Sequence, residues 1–142
     1  MNEEKKNRVL TVENRIEELT VIEGFLGDLG EEWELDASLV LSLNLVLEEA
    51  FTNIVNYGYD DIENHIIEII FSLDADILSI EIRDDGHEWD PTLKTDPDIT
   101  LSAEERPVGG LGILLIKKIM DTVEYRRLDC KNHLVLTKKT LV

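Results

Sequence analysis

Cysteine is nearly absent from this chain: of 142 residues only Cys130 is one. That excludes an intramolecular disulfide and a cysteine-built zinc site, and it suits a reducing compartment; Cys130 itself reads as a small apolar residue near a strand. Basic residues are scarce as well. Fourteen Lys and Arg stand against 31 Asp and Glu, a formal charge of −17, so the clustered basic face that neutralises nucleic-acid phosphates is missing. No uncharged apolar run reaches membrane-spanning length, and the opening MNEEKKNRVL has no apolar stretch after its basic residues. The expectation is a soluble, cytoplasmic protein with neither nucleic acid nor membrane as direct partner.

The few basic side chains are unevenly placed. Between Ile16 and Glu105 only Arg83 and Lys94 are basic, whereas Arg106, Lys117, Lys118, Arg126, Arg127, Lys131, Lys138 and Lys139 crowd the last quarter. An anionic small ligand would be better tolerated there, and a basic protein surface would dock on the acidic remainder. A solvated acidic surface kept for solubility is the plainer alternative.

The length is that of one domain, 1–142, without need of staples. Residues 8–12 alternate weakly and suggest a short edge strand. From Asn14 as N-cap, Ile16, Leu19, Ile22, Phe25, Leu26 and Leu29 recur at helical spacing, and Gly30 suits the end of that first helix. Asp36 or Ser38 then caps a second helix that runs to Asn56 or Tyr57, where Gly58 stops it. Residues 65–73 and 77–83 have strand character and read as a hairpin across Asp74, Ala75 and Asp76. Residues 87–108 follow neither period and contain all three prolines, Pro91, Pro97 and Pro107; a connection this long is either disordered or a lid over a site. A third helix opens at Gly109-Gly110-Leu111-Gly112 and ends near Asp121, and a second hairpin follows over 122–128 and 133–139. Strands that come in hairpins rather than alternating with helices predict an α+β fold, a two-layer α/β sandwich whose mixed or antiparallel sheet carries helices on one face.

Three short motifs carry chemistry. Glu49 and Asn53 stand four residues apart on the second helix, one above the other on a single face. An asparagine oxygen together with nucleotide phosphates is enough to anchor Mg²⁺, and a carboxylate one turn away would orient or deprotonate a nucleophile; Glu48 is rotated about 100° from that face. Asp84-Asp85-Gly86 closes the strand over 77–83, and there a carboxylate would accept from an exocyclic amine while the glycine lets backbone approach a flat ring. The alternative is a plain Asp-Gly turn. Gly109-Gly110-Leu111-Gly112 would wrap phosphate oxygens with amide N–H groups at a helix start, or serve only as a hinge. It is not a Walker-type loop, and its position after a long connection disfavours a Rossmann turn.

In order and spacing, LEEAFTNIVNYGY, IRDDGHEWDP and GGLGILLIKKIMD resemble the three nucleotide boxes of the histidine-kinase-like (GHKL) ATPase superfamily, and in detail the stand-alone anti-sigma-factor serine/threonine protein kinases. The resemblance spans essentially the whole chain. It implies the Bergerat ATP-binding fold, ATP and Mg²⁺ as cofactors, Asn53 as the Mg²⁺ ligand and Glu49 as general base toward a substrate serine. It further implies Asp84 on the adenine amine with Gly86 making room for the ring, Gly110 and Gly112 on the phosphates, and Thr137 supporting the adenine contact. Proteins of this kind form homodimers, sequester a sigma factor and phosphorylate a STAS-type anti-anti-sigma protein. Two departures stand out: Tyr57 replaces a histidine before Gly-Tyr, and Glu88 replaces a second glycine. A non-catalytic ATP-binding module in partner switching, and the ATP-binding half of a histidine kinase, are the competing classes.

Overall fold

A computed structural model of the chain describes residues 5–93 and 110–140. Most of the expected lid falls on 94–109 and so lies outside the described residues. Strand β1 (Lys6–Glu13) leads through a 3-10 turn at Ile16–Glu18 into helix α1 (Leu19–Glu32), followed by α2 (Ala37–Tyr57), β2 (Ile66–Asp74) and β3 (Ile77–Asp84). A second 3-10 turn, Pro91–Leu93, precedes α3 (Gly110–Ile119), β4 (Thr122–Leu128) and β5 (Lys131–Lys139). The five strands lie in the order β1-β2-β3-β5-β4, and every neighbouring pair is antiparallel, so of the two sheets expected it is the antiparallel one that forms.

Alternation decides which way each strand faces. Ile67, Ile69 and Phe71 on β2, Leu78, Ile80 and Ile82 on β3, and Leu134 and Leu136 on β5 turn inward and are buried. They meet Leu43, Leu47 and Phe51 of α2, Ile22 and Leu26 of α1, and Ile116 of α3, with the Phe25 and Phe71 rings 5.4 Å apart. Burying such side chains contributes about 1.5–3 kcal/mol each. Helix α2 is apolar and long enough to cross a membrane by length and composition; here it is the central core helix, with Leu43, Val46, Leu47 and Phe51 fully buried.

The first helix departs from expectation at both ends. Asn14 does not cap it. Its Oδ1 accepts from the His65 N–H at 2.8 Å and its own N–H donates to the His65 carbonyl at 3.0 Å, which extends the β1–β2 ladder by a step. Gly30 does not end it either. The helix continues to Glu32, a left-handed Glu34 (φ 55°) follows, and the Leu35 N–H closes on the Gly30 carbonyl at 2.8 Å. Gly30 is buried because a Cβ there would stand 2.7 Å from Val40 Cγ2, so the glycine sets how closely α1 approaches α2.

The glycines divide into two physical kinds. A Cβ on Gly86 would overlap the Gly58 carbonyl oxygen, whereas nothing lies within 4 Å of one placed on Gly24 or Gly27 in the exposed face of α1. Gly86→Ala is therefore expected to lower the unfolding free energy in urea by about 1–3 kcal/mol. Gly24→Ala and Gly27→Ala should each raise it by up to about 1 kcal/mol through helix propensity; equal effects at all three positions would contradict this division.

Candidate nucleotide site

The C-terminal end of α2 meets the end of β3 backbone to backbone. His87 N–H donates to the Gly58 carbonyl at 2.9 Å, and Gly86 packs on the same carbonyl. The expected reason for Gly86, room for a flat ligand, is thus joined by a second, room for the protein's own helix end. This contact brings Asn53 of α2 beside Asp84 of β3. Among the described residues three polar side chains are buried, Asn53, Asp84 and Asn132, and all three line one pocket. Facing them across the pocket are the apolar walls of Ala50, Ile54, Ile113 and Leu134, with Trp89 and Tyr125 at the sides. Apolar walls with a few convergent polar groups are the usual form of a small-molecule site.

Asp84 Oδ1 accepts from the Gly86 N–H and from Asn132 Nδ2, each at 2.9 Å. Burial pushes its carboxyl above the ordinary value, and those two bonds pull it back. Asn53 is treated differently by the fold. Its Nδ2 is buried and finds no partner among the described residues, although a buried amide without a hydrogen bond costs about 1–3 kcal/mol. A carboxamide left in this state beside a pocket is suited to a ligand. One turn earlier, Glu49 reaches the start of α3: a Cβ on Gly112 would stand 2.5 Å from Glu49 Oε2. Gly110 is the first residue of α3, so the N-terminal end of that helix, whose first N–H groups have no partner within the helix, lies near Glu49. The side-chain oxygen of Asn53 is a hard ligand of the kind Mg²⁺ takes, and the Glu49 carboxylate stands one helical turn away from it.

Of the seven site residues expected from the sequence, Asn53 and Asp84 share the pocket wall and Gly86 buttresses it, while Gly112 comes up against Glu49 one turn of α2 earlier, with Gly110 at the start of the same helix. Thr137 does not belong. It lies on the opposite parity of β5 from Leu134 and Leu136, on the sheet face away from the helices, where its Oγ1 bonds Thr122 Oγ1. The residue on β5 that touches Asp84 is Asn132. Sequence reasoning missed it because it sits just after a hairpin turn, where asparagine reads as turn chemistry. Cys130 lies next to a strand, as expected, but exposed at the hairpin tip between β4 and β5, with φ 61°.

A polar cluster holds the junction from outside. Tyr59 stacks on His65 with centroids 4.1 Å apart and donates to Asp85 at 2.9 Å, while His65 Nε2 lies 2.8 Å from Asp61. Burial, then the Asp85 bond, push the Tyr59 phenol well above its ordinary range. The Asp61 bond raises the His65 pKa.

The family and the fold also show in likeness to known proteins. Residues 12–138 match the histidine kinase-like ATPase domain family, and the chain belongs to that family. Among its relatives is the serine/threonine-protein kinase BtrW of Bordetella bronchiseptica, 31% identical over 109 residues, 77% of this chain and 75% of BtrW. The serine-protein kinases RsbW of Oceanobacillus iheyensis and Bacillus mycoides are 36% and 35% identical, each over 58% of this chain and 54% and 53% of theirs. The chain thus spans about half the length of these RsbW relatives. A crystal structure of the RsbU and RsbW domains of a Mycobacterium tuberculosis protein superposes with a TM-score of 0.65 at 14% identity, over 94% of this chain and 32% of that one, and shares the fold.

The raised His65 pKa gives a pH dependence with a definite sign. Protonated His65 stabilises the fold below its unfolded pKa of about 6.5, and the gain is lost as pH rises through the higher folded value. The stability difference between wild type and His65→Gln, measured by urea unfolding, should therefore be larger just below about pH 6.5 and shrink as pH rises through the folded value; a constant difference would exclude the ion pair.

Proposed function

We propose that the chain is an ATP- and Mg²⁺-dependent protein serine kinase that acts as an anti-sigma factor, phosphorylating a STAS-type anti-anti-sigma protein and sequestering a sigma factor. The observation that carries this reading is the convergence of Asn53, Asp84 and Asn132, the buried polar side chains of the described structure, on a single pocket, with Asn53 left unsatisfied. The names of BtrW and RsbW supply the reaction class.

In this reading Asp84 receives the adenine amine, Gly110 and Gly112 offer N–H groups to the phosphates, and Asn53 holds the metal. Mg²⁺, when bound, supplies charge neutralisation at the phosphates. Glu49 would take the proton from the attacking serine hydroxyl, a role supported by the closeness of its carboxylate to Gly112. The partner surface would be the outer face of α1 and α2, where Val21, Leu41 and Leu45 are exposed and Glu31 and Glu34 line one depression with Leu41; a homodimer would use part of it. Such proteins act in the cytoplasm.

Incubation with labelled ATP and a STAS-fold protein of the same genome tests the reading. Label should appear on a serine of that protein. Glu49→Gln should lower transfer by about 10²-fold or more with nucleotide affinity unchanged. Asn53→Ala should abolish Mg²⁺-dependent binding while leaving the unfolding free energy within about 1 kcal/mol of wild type, because the lost donor was unpaired. Nucleotide binding without any label would instead describe a regulatory module.

A further inference from the structure

Asn132 stands in a row that runs across three strands of the inner sheet face. It pairs in register with Asp84 of β3 on one side and with Arg127 of β4 on the other. The register is set by the two-residue turn Asp129–Cys130, both left-handed (φ 52° and 61°), and a slip of one residue would turn Asn132 to the outer face.

The carboxamide of Asn132 is fully used. Its Oδ1 accepts from the Tyr125 hydroxyl at 2.6 Å and from Arg127 Nη1 at 3.0 Å; its Nδ2 donates to Asp84 Oδ1 at 2.9 Å and to the His87 carbonyl at 2.6 Å. Arg127 Nη1 also donates to the Gly86 carbonyl at 2.8 Å. A guanidinium can only donate, so it fixes which way the amide points. Reversed, the amide would set Nδ2 against Arg127 and Oδ1 against both the Asp84 carboxylate and the His87 carbonyl. In the orientation observed, Asp84 Oδ1 takes two donors and Oδ2 is the oxygen left for a ligand.

This orientation determines what Asp84 can read. Facing N–H groups, the carboxylate is held as an acceptor, which selects a donor such as an exocyclic amine. Facing the oxygen of a reversed amide, it would gain by holding a proton, and would then offer a hydroxyl to a keto oxygen. We propose that Arg127, assisted by Tyr125, is a positioning and specificity residue: by locking the Asn132 amide it keeps Asp84 an acceptor and makes the pocket prefer a 6-amino purine over a 6-keto purine. The proposal rests on the nucleotide reading of the site. The signal in the sequence was strand parity, since Arg127 falls with Val123 and Tyr125 on the inward side of β4 while Thr122, Glu124, Arg126 and Leu128 are exposed.

Binding of ADP and GDP, each with Mg²⁺, by calorimetry on the wild-type chain and on Arg127→Met, Arg127→Lys and Tyr125→Phe decides the matter. The wild type should prefer ADP. In Arg127→Met the ratio of ADP to GDP affinity should fall roughly tenfold or more, as expected when a polar read-out group loses its orientation. Arg127→Lys, which restores one donor, should recover part of the ratio, and Tyr125→Phe should lower it less. A parallel loss for both nucleotides, with the ratio kept, means a merely structural Arg127 and overturns the proposal alone. A wild type that ignores both nucleotides overturns the site reading with it. Should Arg127→Met fail to fold, an unchanged ratio in both Arg127→Lys and Tyr125→Phe overturns the proposal equally.

Discussion

The carbonyl of Gly58 is where the architecture and the site become one problem. It ends α2, accepts the His87 N–H, and lies where any side chain on residue 86 would have to be. Without that approach the helix bearing Glu49 and Asn53 would stand off from the strand bearing Asp84, and the apolar walls would have no polar floor. Both sides of the contact are glycine, so the constraint is steric before it is chemical. The stacked Tyr59 and His65, tied to Asp85 and Asp61, brace the same junction from the solvent side.

Around this junction the chain places polar groups at some cost to stability. Asp84 is ionisable and buried, and its burial is offset by Gly86 N–H and Asn132. Asn53 has no such compensation on Nδ2. Elsewhere the interior is aliphatic or aromatic, as a core formed by one sheet face and three helices requires. Departures from core chemistry that gather at one place point to a ligand rather than to folding.

How much of this the sequence disclosed depends on the range of the interaction. The helical period of α2, a local pattern, put Glu49 one turn from Asn53 on a single face; that Asp84 ends β3 on the buried face emerges from the sheet. Gly30 was read as a helix end because its true reason, Val40 across the α1–α2 contact, is not local. Asn132 was invisible for the same reason: its neighbour Asp84 is 48 residues away and meets it only because β5, not β4, joins β3. Thr137 is the instructive error. The alternation of Leu134 and Leu136 puts it on the outer face, a local pattern that the family resemblance does not carry.

The central claim, that three distant segments act as one nucleotide pocket, is tested most directly by titrating the isotope-labelled chain with Mg²⁺ and a non-hydrolysable ATP analogue in an NMR experiment. Signals of the side-chain amides of Asn53 and Asn132 and of the backbone N–H groups of Gly86 and Gly112 should shift together along one binding curve. Shifts confined to a single segment, or different curves for the three, would contradict it.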